Sequence, residues 1–172
     1  MPKGVAVGSL VIEEKVTSSG SGDVLLARQP GLGRRVLVRT LRRDCLGDPA
    51  LVQRFRRAAR MAARVTHSNV QQVFDLFAWQ GDHYLVREYV EGESLRAWLD
   101  RLGSPPPEVA RCLALELARG VEALHAAGII HADLRAENVR VGHWGEVKLG
   151  ALGSARTSAE LDVPAAEPSA CT

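Results

Sequence analysis

Short runs of apolar residues occur in three stretches near the N-terminus, the third with an alternating pattern, and they predict β-strands. Turns rich in small residues and proline separate these stretches. Residues 1–8 show no such alternation and are predicted to be a loose start. The predicted strands are residues 9–15, 23–29 and 34–41, and the predicted turns are 17–22 and 30–33. The pattern therefore indicates a three-stranded antiparallel meander.

A helical period follows the meander. Asp48 can accept a hydrogen bond from a free N–H group at a helix start, and Pro49 suits the first helical position. Much of the polar side of the helix is arginine, at positions 54, 56, 57, 60 and 64. Such a face is either simply solvated or a patch that binds phosphate or an acidic partner. Apolar residues recur at spacings of three to four, at Leu51, Phe55, Ala59, Ala62 and Val65.

The second half of the chain mixes strands with helices. A polar break at 91–94 precedes a short helix, which Ser94 caps and which ends near Leu102. A longer helix is predicted at 108–127, and Gly128 ends it. Its apolar face comprises Val109, Leu113, Leu117, Val121 and Leu124. Strands are predicted at 70–78, at 83–90 and in a hairpin over 139–149, and residues 157–172 are predicted to be a disordered tail.

Composition narrows the class of protein only slightly. A chain of 172 residues, 46% hydrophobic and 24% charged, is typical of one globular domain or two small lobes. A net charge of +2 gives no reason to expect a nucleic-acid partner. The three cysteines, at 45, 112 and 171, lack metal-ligand spacing and indicate a reducing cytosol. Because we find no signal segment and no apolar run of about 18 residues, a cytoplasmic location without membrane binding is expected.

One loop carries the residue types of a phosphoryl-transfer site. Residues 131–138 read HADLRAEN, with His, Asp and Asn immediately before the predicted hairpin. This loop resembles the catalytic loop of the protein kinases, H-R-D-L-x-x-x-N, and the spacing from Asp133 to Asn138 matches it. Three further phrases are similar to the same family: HSNV at 67–70, YLVREYVEG at 84–92 and LHAAGIIH at 124–131. The resemblance covers residues 9–156 and is strongest to the bacterial serine/threonine kinases.

The resemblance implies a protein-kinase-like α+β fold. An antiparallel-sheet small lobe with one long helix would be followed by a truncated, mainly helical large lobe. The implied division is a flexible N-terminus at 1–8, a small lobe at 9–90, a partial large lobe with the catalytic-loop hairpin at 91–156, and a disordered tail at 157–172.

The resemblance also implies where ATP would contact the small lobe. The family's glycine-rich phosphate loop corresponds to residues 17–22, in which only Gly22 matches, so this turn is either a phosphate cover or a simple hairpin loop. Arg39 stands where the family has a lysine that pairs with the α- and β-phosphates. The other expected nucleotide-binding residues are Val24, Glu88 and Val90.

The partners of that lysine are also altered. No lysine lies between Lys15 and Lys148, and no glutamate lies between Lys15 and Arg87. The best register places Ala58 where the family has the glutamate that holds the lysine. Arg87 corresponds to the residue at the inner end of the adenine pocket, where it could occupy the phosphate region; alternatively, it lies on the outer face of its strand.

The catalytic loop keeps some of the family's functional groups. Asp133 matches the base that orients the attacking hydroxyl, Arg135 replaces a lysine that neutralises the transferred phosphoryl, and Asn138 matches a metal ligand. Asp133 and Asn138 could equally tie the loop together through bonds from side chain to backbone. Ala132 replaces an arginine that clamps a phosphorylated activation segment, and His131 is expected to be structural.

The family's second metal ligand is missing. Its D-F-G phrase corresponds to ALG at 151–153, and Ala151 offers no oxygen to Mg²⁺. The later acids, Glu160, Asp162 and Glu167, all fall in the predicted tail. The resemblance therefore implies a catalytically impaired pseudokinase, a binding or regulatory protein that needs neither ATP nor Mg²⁺.

Truncation of the large lobe would leave the apolar face of the helix at 108–127 partly uncovered. A protein partner or self-association is therefore expected. The enzyme alternative is a divergent serine/threonine kinase that transfers phosphate from ATP to a protein hydroxyl, using Arg39, Asp133 and Asn138. Two further alternatives are a small-molecule phosphotransferase, in which the loop has the sequence H-x-D, and a decayed fragment without function.

Overall fold

The computed structural model describes residues 4–19, 22–41 and 47–157 and divides the chain into two compact units. Among the described residues, the first unit holds those of Met1–Ala59 and Val73–Tyr89. The second unit holds those of Arg60–Gln72 and Val90–Pro164. In the described part of the chain, no helix is long and apolar enough to cross a membrane.

The first unit contains a six-stranded antiparallel sheet in the order β1-β2-β3-β4-β6-β5. The strands are β1 (Ala6–Val7), β2 (Leu10–Ser19), β3 (Gly22–Gln29), β4 (Arg34–Thr40), β5 (Val73–Trp79) and β6 (Asp82–Glu88). Alternate residues of these strands bury one face, whose core is Val7, Leu10, Ile12, Leu25, Ala27, Val36, Val38, Tyr84 and Val86. The predicted meander corresponds to β2, β3 and β4 and is confirmed.

The start of the chain is more ordered than the sequence pattern predicts. Within residues 1–8, Ala6–Val7 form β1, and Val7 pairs with Leu10. Gly8 has φ +58°, which a residue without Cβ adopts easily, so the chain can reverse between the two strands. Val7 is 2% exposed, and its burial explains why so short a strand is held in place.

The first helix, α1 (Pro49–Ala62), begins where the sequence predicts. The Asp48 carboxylate accepts a hydrogen bond from the N–H of Ala50 at 2.8 Å. Phe55 packs in a second apolar cluster with Leu41, Leu51, Val52, Leu76 and Leu85. Because α1 ends at Ala62, Val65 is buried beyond the helix rather than on it.

The second unit contains α2 (Leu95–Leu102) and α3 (Pro107–Ala126). The Ser94 hydroxyl accepts a hydrogen bond from the N–H of Ala97 at 3.1 Å, which confirms the predicted cap. Gly128, with φ +70°, directly follows α3 and its C-cap residue. The short strands are β7 (Gly92–Ser94), β8 (Ile129–Ile130), β9 (Val139–Gly142), β10 (Val147–Leu149) and β11 (Arg156–Thr157).

Two small sheets complete the second unit and correct three sequence predictions. β9 pairs with both β10 and β7, so residues 92–94 of the predicted polar break form a strand. β11 pairs with β8, so Thr157 is not in a tail. The rest of the predicted tail, 158–172, lies outside the described residues. β5 starts at Val73 rather than at residue 70, because Val70 bridges Leu149 instead.

α3 packs closely on the hairpin side of the second unit. A Cβ on Gly120 would lie 2.8 Å from the carbonyl oxygen of Asn69, so only glycine permits this approach. On the predicted apolar face, Leu124 is fully buried, Leu113, Leu117 and Val121 are partly buried, and Val109 is 40% exposed. The predicted apolar face of this helix is therefore buried at its C-terminal end and open at its N-terminal end.

Candidate functional site

His131 opens the candidate catalytic loop and is 4% exposed. Its Nδ1 accepts a hydrogen bond from the N–H of Asp133 at 3.3 Å, and its Nε2 lies 2.8 Å from the carbonyl oxygen of Gly150. Because Nδ1 is an acceptor, the proton of the neutral ring belongs on Nε2, which donates to Gly150. His131 therefore joins the loop to the segment after β10, and its predicted structural role is confirmed.

Asp133, Arg135 and Asn138 lie together. The Nδ2 of Asn138 donates to both the carbonyl oxygen and the Oδ2 of Asp133, each at 2.8 Å. The Nε of Arg135 lies 3.5 Å from the other carboxylate oxygen, Oδ1. The bond to the Asp133 carbonyl is the predicted tie from side chain to backbone. The carboxylate thus meets an amide donor on one side and a guanidinium on the other.

Ala151 has a left-handed backbone conformation, which is unusual for a residue other than glycine. Ala151 has φ +56° and ψ 40°, and Ala132 has φ +59°. The left-handed region is disfavoured for residues with a Cβ, although Asp and Asn adopt it more readily than most. The N–H of Gly150 donates to the carbonyl oxygen of Asn138 at 2.8 Å, which fixes the chain just before the turn. Leu152, the next residue, is 7% exposed and anchors the other side of the turn.

The oxygen donors at this loop form an incomplete set for Mg²⁺. Asn138 offers its Oδ1, because its Nδ2 is engaged with Asp133. Asp133 offers a carboxylate that already accepts from Asn138 and faces Arg135. Ala151 adds no oxygen. Mg²⁺ is usually held by one or two carboxylates together with waters and substrate phosphates, and the one carboxylate here already accepts from Asn138 and faces Arg135, so these side chains fit the ion poorly.

In the small-lobe sheet, Gly22 has a structural reason to be glycine. A Cβ at this position would lie 1.8 Å from the carbonyl oxygen of Thr40 on the neighbouring strand. The N–H of the next residue, Asp23, donates to the Thr40 hydroxyl at 3.3 Å. The close approach of β3 to β4 therefore accounts for Gly22 without a phosphate. Residues 20 and 21 of the predicted turn lie outside the described part of the chain.

The strand register places the two arginines of interest on one face of the sheet. Arg39 is paired with Val24 on β3 and with Leu85 on β6, and Arg87 is paired with Leu37. Directly opposite residues share a face, and alternate residues along a strand return to it. Since Leu85 packs in the cluster of Phe55, this is the face next to α1. The register therefore excludes the outer-face alternative for Arg87.

The guanidinium of Arg39 is largely buried on this face, and its burial affects its protonation. Desolvation by burial lowers the pKa of the Arg39 guanidinium below its usual value. The sequence reasoning missed Leu37, which is 8% exposed and fills the face beside the two arginines. Ala58 is buried on α1, and that helix carries no acidic residue. No carboxylate of α1 is therefore available to hold Arg39.

The remaining predicted nucleotide positions are divided between the two units. Glu88 ends β6 opposite Val36 in the first unit. Val90 belongs to the second unit and is 3% exposed. Its carbonyl oxygen accepts from the Nη2 of Arg140 at 3.4 Å, and the same Nη2 donates to the carbonyl of Gly92.

Arg140 and Asn69 connect segments of the second unit that are distant in sequence, and neither role is visible in the sequence. Arg140 looks like an ordinary strand residue between two valines, and only the pairing of β7 with β9 gives it a role. Asn69 is 4% exposed; its Nδ2 donates to the carbonyl of Val147 at 2.9 Å and to the carboxylate of Glu116 at 2.7 Å. The phrase HSNV at 67–70 marked this residue, but its partners are distant in sequence.

Known proteins with the same fold identify the family of this chain. The structure is similar to a double mutant of the kinase domain of Mycobacterium tuberculosis PknI, with a TM-score of 0.76 and 25% identity, covering 96% of this chain and 71% of that one. The predicted kinase-like fold, with its antiparallel small-lobe sheet and helices, is therefore confirmed. The model of the protein kinase domain family matches residues 10–165, so the chain belongs to that family.

The similar curated proteins are bacterial serine/threonine-protein kinases. The chain is 44% identical over 123 residues to the serine/threonine-protein kinase pkn2 of Myxococcus xanthus, which covers 71% of this chain and 15% of that protein. It is 30% identical over 148 residues to the serine/threonine-protein kinase PrkC of Bacillus subtilis, which covers 86% of this chain and 23% of that protein. The chain thus spans less than a quarter of the length of either relative.

Proposed function

We propose that this chain is a pseudokinase module, a kinase-shaped binding or regulatory protein with little or no phosphotransfer. The observation that carries the proposal is Ala151. It occupies a left-handed turn beside the catalytic loop, at the position where the family has a metal carboxylate, and it has no oxygen to offer. Phosphoryl transfer depends on metal ions that bridge the phosphates and neutralise the developing charge.

The small lobe supports the same proposal. The family's ion pair joins a lysine on the third strand to a glutamate on the following helix. Here Arg39 and Ala58 stand at those positions, and α1 contains no acidic residue that could replace the glutamate. Arg is a planar fork rather than a compact point charge, so it does not reproduce the contact of a lysine with phosphate. Neither ATP nor Mg²⁺ is proposed as a resident cofactor.

A divergent serine/threonine kinase is the second candidate. Asp133 and Asn138 are held by two hydrogen bonds of 2.8 Å, an arrangement that could orient a substrate hydroxyl. The relatives named above are serine/threonine-protein kinases. An enzyme of this kind would use Arg39 on the phosphates and transfer phosphate from ATP to a protein hydroxyl.

A protein partner, or a second copy of the chain, is part of the proposal. Val109 and Leu115 on α3 are 40% and 51% exposed, and Trp144 at the tip of the β9–β10 hairpin is 91% exposed. Large apolar side chains in water favour association, and tryptophan is frequent among the residues that dominate binding energy.

Nucleotide binding tests the proposal. The melting temperature of the native chain, of Ala151→Asp and of Ser154→Asp is measured with ATP, with and without Mg²⁺. Ser154 is exposed and three residues away, so its variant controls for the added charge. We expect a change of less than about 2 °C in the native chain and in Ser154→Asp, and a Mg²⁺-dependent rise in Ala151→Asp alone would show that the missing carboxylate limits binding.

Two results would contradict the pseudokinase proposal. The first is stabilisation of the native chain by ATP with Mg²⁺ that Ala151→Asp leaves unchanged. The second is turnover of ATP by the native chain that Asp133→Ala abolishes, which would establish the kinase alternative.

A further inference from the structure

The arginine face of α1, defined by Arg54, Arg56, Arg57 and Arg60, is an unusual concentration of one charge. All four side chains are exposed, and the buried residues of the same helix, such as Phe55 and Ala59, lie on its other side. At 100° per residue the arginines fall within one side of the helix, and at 1.5 Å per residue they span about 9 Å along its axis.

In the described chain, each of the other two α-helices has an arginine that forms an ion pair with an acidic residue of the same helix. On α2, Arg96 forms an ion pair with Asp100, and on α3, Arg119 forms one with Glu116. α1 contains no acidic residue. Moreover, no ion pair joins Arg54, Arg56 or Arg60 to another residue within 4–19, 22–41 and 47–157.

The spacing within this face is unfavourable for an isolated helix. Arg56 and Arg60 are four residues apart, and Arg57 and Arg60 are three apart, so like charges are neighbours on the surface. A ligand with negative charge would convert this mutual repulsion into attraction. Guanidinium groups also bind carboxylates through paired hydrogen bonds, which gives the contact geometry as well as charge.

We propose that the arginine face of α1 binds an acidic segment of a protein partner. The short span of the face matches a few carboxylates, whereas nucleic-acid binding usually neutralises many phosphates along a longer track. The whole chain has a net charge of only +2, with 20 acidic residues, so its long-range field does not attract an extended polyanion. This proposal names a partner for the regulatory function proposed above, and it rests on that function.

The test measures binding of the full chain to a fluorescently labelled eight-residue peptide in which glutamate alternates with serine. A peptide with lysine in place of glutamate controls for the label. Fluorescence polarisation at low salt gives the affinity. We expect Arg56→Glu/Arg60→Glu to weaken binding by about tenfold or more, because two attractive contacts become repulsive. The single variant Arg60→Glu should weaken it by a smaller factor.

Arg111→Glu is the matched control, since Arg111 is an exposed arginine within a helix and the charge change is the same. It should alter the affinity by less than about twofold. The melting temperature of each variant is measured as well, and a loss of binding at an unchanged melting temperature is the result expected from a lost contact with the peptide.

Three outcomes would overturn the proposal: no binding of the acidic peptide at low salt, equal weakening by Arg111→Glu, or tighter binding of a single-stranded oligonucleotide of the same charge. The readout is peptide binding rather than phosphate transfer. A positive nucleotide result could therefore refute the pseudokinase proposal while the acidic interface stands, and the reverse is equally possible.

Discussion

Asn138 donates two hydrogen bonds to Asp133, one to its carbonyl oxygen and one to its carboxylate, each 2.8 Å long. The pair that resembles a metal ligand and a catalytic base is thus also a structural clasp of the loop. Both residues therefore contribute to the stability of the loop, whatever chemistry it performs.

Asn138→Ala should therefore destabilise the protein even without nucleotide. Loss of both bonds leaves the Asp133 carbonyl without this donor, and we expect the free energy of unfolding to fall by about 1–3 kcal/mol. Urea denaturation measures it. Glu137→Gln is the control, because Glu137 is exposed and lies at the limit of an ion pair with Arg135, 4.0 Å away. Equal effects of the two variants would contradict the clasp.

Ala151→Gly should stabilise the chain. Ala151 has φ +56°, which glycine adopts without steric cost, and the gain should be about 0.5–1 kcal/mol after the greater entropy of the unfolded chain is counted. Ala155→Gly is the control, because φ −59° and ψ 142° suit alanine, and it should lose about the same amount. Thermal melts of both variants would reveal opposite signs; a loss at both positions would contradict the strained turn.

Gly22→Ala distinguishes packing from phosphate binding. Its Cβ would meet the Thr40 carbonyl at 1.8 Å, and we expect the free energy of unfolding to fall by about 2–4 kcal/mol, whether or not nucleotide is present. Gly31→Ala has open space and should change stability by less than about 1 kcal/mol. A stable Gly22→Ala protein that loses affinity for ATP would instead favour a phosphate cover.

Asp23 should give the small-lobe sheet an acid-sensitive contribution. The hydrogen bond from Ser18 and the nearby Lys15 hold the pKa of the Asp23 carboxyl below its usual value. A carboxyl with a lowered pKa in the folded state stabilises the fold above its unfolded pKa of about 4, and this contribution disappears as pH falls through the folded pKa.

The difference in free energy of unfolding between the native chain and Asp23→Asn should therefore be largest near neutral pH and should shrink below about pH 4. Urea titrations across this range measure it. Glu122→Gln, at an exposed position on α3, serves as the control for removal of a carboxylate charge. A gap for Asp23→Asn that widens on acidification would mean the sign is wrong.

Leu115→Arg should reduce self-association. Leu115 is 51% exposed on α3, and a charge there opposes burial against a second copy. Light scattering across a range of concentrations measures the mass, and Ala114→Arg, on an adjacent exposed position, is the control. A native chain that stays monomeric at every concentration would remove the self-association proposal.

Local patterns predicted the elements whose causes are local. Short apolar runs between turns identified β2, β3 and β4. The side chains of Asp48 and Ser94 marked two helix starts, because a cap needs only its next three residues. β1 and β7 were missed because each is held by a partner strand rather than by its own residues. Short polar strands such as Gly92–Ser94 carry no signal of that kind.

The features of the candidate site also fall into those that local sequence indicated and those that depend on strand pairing. The family resemblance drew attention to Ala151, and side-chain type offered the clasp as one of two roles for Asp133 and Asn138, whose hydrogen bonds the structure then shows. The face occupied by Arg87 depended on the register of β4 against β6, which alternation cannot fix. Arg140 remained hidden for the same reason, since its acceptors lie about 50 residues earlier in the chain.

The left-handed turn at Ala151 has an evolutionary consequence. Aspartate tolerates this backbone better than alanine does, so one codon change could return a carboxylate to the turn without rebuilding it. The backbone of this turn therefore sets no barrier to a carboxylate, and the side chain at this position can change without a change in the fold.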